Sequence, residues 1–420
     1  MLRIAIINKS DSTGGAAVVS RRLMEALRRE GADARMLVAE RLSDSPHVAT
    51  IASPLRIKAA FAADRLRVAL ANGFDRDTLF KIDTAAAGID LSRHPWVREA
   101  DAILINWINQ GVLSLGGIRR LLRAGKKVVW TMHDMWNFTG VCHHAGDCLR
   151  FRSDSPCGGS CGECPLLKRH ASPSDLSART LLAKERLYDA GLISFVAVSR
   201  WLADEARASR LLATRDLSVI PNAFPLPDSS ILSRRIGADA PTLNLIFGAA
   251  RLDDPIKDFP LLIDVTRALR ERHPEVADRC RLHLYGGIKD ASLLERLAIS
   301  YTHHGMIRNP EKITDLYLDS HIVLSTSRRE TLPGTLIEGQ AHGCWPIAFH
   351  AGGQGDIIAD GLTGSLLERS GHDAAAMADA IAAAPAIDCS VSRRLHESVE
   401  RSFSAQTVAR EYLRLLSELG

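Results

Sequence analysis

Two Rossmann-like α/β domains are predicted for this chain of 420 residues. Three observations predict them: a length beyond what one core usually organises, strand-like and helical patterns alternating in both halves, and a proline-rich break between the halves. In the first half, strands are expected at Arg3 to Asn8, Ala34 to Ala39, Ala102 to Asn106, Lys127 to Met132, Ser194 to Val198 and Ser218 to Ile220. Helical patterns fall between them at Gly15 to Glu30, Val112 to Ala124 and Arg200 to Ala208. Repeated strand-helix units imply a parallel sheet covered on both faces. The second half repeats the scheme, with strands at Leu243 to Phe247, Arg281 to Tyr285, Ser300 to Thr302, Ile322 to Ser325 and Pro346 to Phe349. Between the halves, Pro221, Pro225 and Pro227 stop either regular element from continuing. The expected domains are therefore 1–225 and 226–404, with a helical run at 405–420.

Composition narrows the class of protein. With 46% hydrophobic and 24% charged residues the chain has an ordinary globular balance, and no segment approaches the roughly 18 apolar residues that span a bilayer. The opening Met1-Leu2-Arg3-Ile4-Ala5-Ile6-Ile7-Asn8 is too short and too soon polar for a signal peptide, so a cytoplasmic location is expected. The net charge of +4 conceals an asymmetry. Residues 1–225 hold 32 Lys and Arg against 23 Asp and Glu, while the remainder hold 21 against 26. A basic first domain suits an anionic lipid surface or an acidic acceptor. Nucleic acid is disfavoured, because no aromatic-basic module or zinc-finger spacing accompanies the charge. One segment, 54–82, breaks the alternation: apolar Leu55, Ile57, Phe61, Leu66, Val68 and Leu70 recur at about helical spacing beside Arg56, Lys58, Arg65 and Arg67. Two readings stay open, a helical hairpin covering the domain edge and a contact with a membrane interface.

The stretch from Arg329 to Glu338 places Glu330 where an apolar run ends and Glu338 about one turn inside a helix that Pro333 can begin. Helix-start amides at Gly334, Thr335 and Leu336 lack intrahelical partners and attract phosphate. Arg251 and Lys257 follow the run Leu243 to Gly248 and offer fixed cations to a departing diphosphate. Gly14-Gly15 follows the first strand, letting the backbone approach a ligand closely, and His133-Asp134 follows a later one. Together with Gly352-Gly353, Asp356 and Gly361-Leu362-Thr363-Gly364, these motifs resemble the family 4 retaining glycosyltransferases of the GT-B fold, in which two Rossmann-like domains face each other across a cleft. Through His133-Asp134-Met135-Trp136-Asn137-Phe138-Thr139-Gly140 and the cysteines after it, the chain is most similar to colanic-acid-type exopolysaccharide enzymes.

That resemblance implies catalytic roles for His133 and Glu330. Glu330 would hold hydroxyls of the donor sugar and His133 would contact the transferred sugar. Donor binding would fall to Gly14, Gly15, Arg251, Lys257, Gly334, Thr335, Leu336 and Glu338, with Glu338 taking the nucleotide ribose. Asp258 stands where the family usually has glycine. The resemblance also implies that the last helix returns to the first domain and that catalysis needs no metal. The expected function is transfer of a sugar, with retention, from a nucleotide-diphosphate donor to a saccharide or polyprenyl-linked acceptor in exopolysaccharide or surface-glycan synthesis. An epimerase of the same fold and a noncatalytic sugar-nucleotide-binding partner are the alternatives. In a Cys-rich insertion at 142–164, Cys142, Cys148, Cys161 and Cys164 are candidate ligands for a structural zinc. Cys157 is additional, His143 and His144 are substitute ligands, and disulfides or free thiols remain open.

Overall fold

A computed structural model describes residues 1–237 and 240–419. The chain divides into two compact units. Met1–Ala223 and the stretch beginning at Ala405 form the first, and Phe224–Ser404 the second, so the division falls inside the proline-rich segment.

The first unit is built on strands β1 (Arg3–Ser10), β2 (Asp33–Glu40), β3 (Val48–Thr50), β4 (Ala102–Ile105), β5 (Lys127–Met132), β6 (Ile193–Ala197) and β7 (Leu217–Val219). Their spatial order is β3-β2-β1-β4-β5-β6-β7 and every pairing is parallel. Strands β4 and β6 are buried along their whole length, as continuous apolar runs in a covered parallel sheet should be. Strand β3 was not expected, since of its three residues only Val48 is buried and no apolar run marks it. The final helix, Ala405–Glu418, packs Val408, Tyr412 and Leu415 into the core formed by Ile6, Leu23 and Val129. A hydrogen bond of 2.8 Å between the Tyr412 and Thr131 hydroxyls fixes its register.

Segment 54–82 is not a hairpin. It holds one helix, Pro54–Ala71, followed by turns. Only Asp64, Arg65 and Val68 of that helix are buried. Arg65 binds Asp64 at 2.5 Å, also contacts Asp83, and donates to the Leu79 carbonyl at 2.6 Å.

The second unit carries β8 (Leu243–Arg251), β9 (Cys280–Gly287), β10 (Ser300–His303), β11 (Ile322–Ser325), β12 (Trp345–Phe349) and β13 (Ser365–Leu367). The order is β10-β9-β8-β11-β12-β13, again all parallel. Strand β13, another three-residue element, was also unexpected. Each sheet has one place where the chain reverses its direction of travel, β1/β4 in the first and β8/β11 in the second. Loops leaving the carboxyl ends of such neighbours part to opposite sides and leave a crevice, which is where ligands of open α/β sheets bind. Among the described residues no helix is long and apolar enough to cross a membrane.

Candidate active site

In the second unit, the loops after β8 and β11 supply the candidate residues and are bonded to each other. The Lys257 ammonium contacts Glu330 Oε1, which also accepts from the Ser327 hydroxyl at 2.8 Å. Thr326 donates its hydroxyl to the Lys257 carbonyl at 2.7 Å, and the Arg328 amide donates to Ile256 at 2.8 Å. Asp258 occupies the left-handed region at φ 54°, which accounts for the glycine usual there. Its carboxylate gains a use that glycine lacks, binding Arg328 at 3.0 Å. The Glu330 backbone is held by the loop after β12: its amide donates to Ala351 at 3.2 Å and its carbonyl accepts from Gly353 at 2.8 Å. Gly352 lies so close beneath that a Cβ there would sit 2.1 Å from the Glu330 oxygen. Arg251 leaves the same strand as Lys257 but turns to Asp254, at 3.0 Å, and Asp253, at 3.6 Å.

Pro333 caps the helix Gly334–Ala341 rather than beginning it. Gly334 and Thr335 open the helix, whereas the Leu336 amide already donates to the Pro333 carbonyl at 3.2 Å. Leu336 is therefore a weaker candidate for phosphate than its two neighbours. Glu338 is half-buried on this helix. Burial raises the Tyr285 and Tyr317 phenols, and the Glu338 carboxylate adds to that rise. These two tyrosines join at 2.7 Å, and Tyr317 donates to the Thr335 carbonyl at 3.3 Å. A cavity of about 430 Å³ opens past the end of β10, lined by His304, Met306, Arg308, Asn309 and Lys312. Sequence reading passed over these residues because no recurring spacing marks them.

In the first unit, Gly14 and Gly15 are exposed where β1 gives way to the helix Gly15–Arg29. His133, after β5, bonds through Nε2 to Asn106 Oδ1 at 2.8 Å, and Asn106 follows β4 at the switch point. Burial pulls the His133 pKa down to about 4, so the ring is neutral near pH 7. With an amide oxygen as partner, Nε2 carries the proton and Nδ1 keeps its lone pair. His133 and Asp134 do not form the working pair that their adjacency suggests. Asp134 accepts instead from Trp107 Nε1 at 3.0 Å, the Trp136 amide at 2.8 Å and His143 Nδ1 at 2.8 Å. Burial alone would raise this carboxyl, but the neighbouring His143 ring and the bonds bring it down to about 2. Asn106 and Trp107 were missed in the sequence, where a lone Asn after a strand has no distinctive signature, and His143, read there as a substitute zinc ligand, is instead the partner of Asp134.

The four cysteines expected to hold zinc, Cys142, Cys148, Cys161 and Cys164, line one small cavity of about 20 Å³, and all eight cysteines are free thiols. Burial pushes the Cys142 and Cys161 thiols up to about 12. Zinc would need thiolates drawn into a tetrahedron. Among the described residues no three or more His, Cys, Asp or Glu are gathered closely enough to hold a metal ion, and zinc enters no step below. The chain does contain one Asp-x-Asp step, Asp75 and Asp77, but Lys168 is bonded to the first and lies 3.9 Å from the second. Beneath the cysteine loop, the buried Lys184 donates to the carbonyls of Trp136, Thr139 and Gly140, the last two at 3.1 Å.

Residues 244–384 match the family model described as glycosyl transferases group 1. They form a group 1 glycosyl transferase domain. That domain contains Arg251, Lys257, Glu330 and Glu338, at the β8/β11 switch point or on the helix that follows it. WcaC of Escherichia coli K12, named a putative colanic acid biosynthesis glycosyl transferase, is 21% identical over 304 residues, 69% of each chain. A D-inositol 3-phosphate glycosyltransferase of Nocardiopsis dassonvillei is 32% identical over 40% of this chain, a match spanning 43% of that relative. Among solved structures, Anabaena HepE in complex with UDP and glucose aligns over 99% of this chain and all of its own, with TM-score 0.59 and 15% identity. WaaG, involved in lipopolysaccharide biosynthesis, aligns over 99% of both chains with TM-score 0.60 and 14% identity. The fold of the whole chain is GT-B, and its glycosyl transferase domain is the second unit's core.

Proposed function

We propose that the protein is a retaining glycosyltransferase that moves a sugar from a nucleotide-diphosphate donor to a saccharide or lipid-linked acceptor, in assembly of an exopolysaccharide or other surface glycan. The observation that carries this reading is the Lys257–Glu330 contact at the β8/β11 switch point, where a cation and a carboxylate are held by loops from two neighbouring strands. A donor entering there gives each group a separate partner. Lys257 and Arg251 take the diphosphate, whose negative charge grows as the bond from the anomeric carbon to phosphate breaks, and fixed cations need no reorganisation when it does. Glu330 takes sugar hydroxyls, Glu338 the ribose, and the amides of Gly334 and Thr335 the phosphate oxygens, gaining about 0.3–1 kcal/mol from the helix dipole. The acceptor oxygen bonds to the anomeric carbon from the face that the phosphate leaves, and its proton passes to the departing phosphate oxygen. Neutral His133 orients sugar or acceptor through Nδ1, and its proton stays on Nε2 toward Asn106. The exopolysaccharide assignment draws on the likeness to WcaC, and the UDP and glucose held by HepE make uridine donors the first to try.

The test is a thermal-shift panel with UDP, GDP, ADP and their sugar conjugates, since a ligand that binds only the folded state raises the melting temperature. One nucleotide should shift it selectively, and the matching sugar conjugate should then support transfer with the anomeric configuration kept. No shift with any nucleotide, or an inverted product, would overturn the proposal. A released epimer of the donor sugar would favour the epimerase.

A further inference from the structure

The helix Pro54–Ala71 is inside out. Its buried positions are Asp64, Arg65 and Val68, while Leu55, Leu66 and Leu70 stand 78%, 55% and 61% exposed. At 100° per residue, Leu55, Ala59, Ala62, Leu66 and Leu70 fall on one stripe, following the 0, 4, 7, 11, 15 spacing of a single helical face. Exposed Arg56 and Arg67 border that stripe on one side and exposed Lys58 on the other. The only acid on the helix, Asp64, is fully buried beside Arg65, so the outer face is apolar and cationic without a compensating carboxylate. The turns that follow expose Phe74 and Phe80 beside Arg76 and Lys81, and there carboxylates are also present, Asp75 bonded to Lys168 and Asp77 exposed, so the uncompensated face is that of the helix.

We propose that this face lies in the interfacial layer of an anionic lipid bilayer. An apolar stripe buried to the depth of the acyl boundary, with flanking cations reaching back to the headgroups, is the arrangement that such an interface rewards. A protein groove would instead be expected to present carboxylates, or a wall, to one side of the stripe; here cations flank both. The buried Asp64–Arg65–Asp83 cluster anchors the helix from below, so the outer leucines are not needed to hold it in place. Its placement also bears on chemistry. The helix runs backbone to backbone against the loop after β4: a Cβ on Gly111 would sit 2.5 Å from the Phe61 amide nitrogen. Lys9 bridges the same two segments, bonding Gln110 at 2.5 Å with its ammonium 6.0 Å from the Phe61 ring. A bilayer on the outer face therefore lies next to the loop that carries Asn106 and Trp107, where a lipid-linked acceptor would arrive.

The proposal concerns binding, not turnover, so it stands or falls apart from the donor-site reading. The experiment is sedimentation of the full chain with vesicles of three parts phosphatidylcholine to one part phosphatidylglycerol, against pure phosphatidylcholine, at low and at high salt. The protein should pellet with the anionic vesicles and much less with the neutral ones, and about fivefold of affinity should go with each cation removed in R56Q or R67Q. The double variant L66E/L70E should abolish binding and keep the wild-type melting temperature, because both side chains already face outward. Absence of binding to anionic vesicles, or binding that L66E/L70E leaves intact, would overturn the proposal. So would a twofold mass in light scattering that L66E/L70E returns to one, which would assign the face to a second copy of this chain.

Discussion

The two switch points of this molecule are built alike and furnished differently. At β8/β11, the groups that meet are ionic and partly open, with Lys257 against Glu330 and Arg251 against Asp253 and Asp254. At β1/β4, the neighbouring groups are neutral or already paired: His133 with Asn106, and Asp134 with His143 and Trp107. A site that must answer charge appearing on a diphosphate requires ions that a ligand can draw apart. One that orients a neutral sugar or acceptor hydroxyl is better served by directional, uncharged hydrogen bonds. Because of this contrast, we propose the donor for the second unit and positioning for the first.

The comparison breaks most sharply at Glu330. We expect Glu330→Gln to lower kcat by about 10²–10³-fold with little change in KM for the donor, and Lys257→Ala to cost a similar factor with KM raised. Because the two side chains are bonded to each other, the double variant should be about as impaired as the worse single one, as groups acting as a unit are. Steady-state kinetics on the three variants, with circular dichroism to confirm folding, decides it. Unchanged activity in either single variant would remove the site from β8/β11.

The same contrast explains what could be read without a structure. Strands such as Lys127–Met132 and Ile322–Ser325 were legible because a strand covered on both faces must be apolar throughout. The short strands β3 and β13 were not, since three residues at a sheet edge carry little pattern; β7, equally short, was read because it runs on into Ile220 before the proline-rich break. The candidate donor-side residues form a linear pattern, because Glu330, Pro333, Gly334 and Glu338 belong to one strand-loop-helix step. Asn106 and His133 come from different strands, and only folding makes them neighbours. Adjacency is no guide to pairing here, since Asp134 follows His133 but its carboxylate bonds His143.

The second expected effect is on stability. Lys184 supports the loop that follows His133 through three carbonyls, all out of reach of water. Lys184→Met keeps the apolar stem but strands those carbonyls, and should cost about 3 kcal/mol in denaturant unfolding. Activity at a temperature well below the transition should fall far less than in Glu330→Gln. If it falls as far, the first unit does more than position.

A smaller, signed effect is expected from pH. The folded His133 pKa of about 4 lies below the ordinary 6.5, so between those values the unfolded chain binds a proton that the native state does not. This residue leaves stability undiminished above pH 6.5 and removes it progressively as pH falls toward 4. His133→Gln should flatten that part of the melting temperature against pH. The kcat of the wild type should show no limb near 6.5 attributable to this ring.

The finest probe concerns the thiols beside it. Burial alone would raise Cys157 as it raises Cys142 and Cys161, but a contact of 3.4 Å with the Ser155 hydroxyl helps bring it below its ordinary value. Cys389 is exposed. Since the thiolate is the reacting form, iodoacetamide at pH 8 should label Cys157 and Cys389 first, with Cys142 and Cys161 modified only on unfolding, as read by peptide mass spectrometry. Slow labelling of the buried pair would mean that the loop after His133 stays closed on the native protein's own timescale, which a positioning site requires. Equal labelling of all four would show that the loop opens readily, and the neutral, pre-oriented character argued for the first unit would then have to be induced by the ligand.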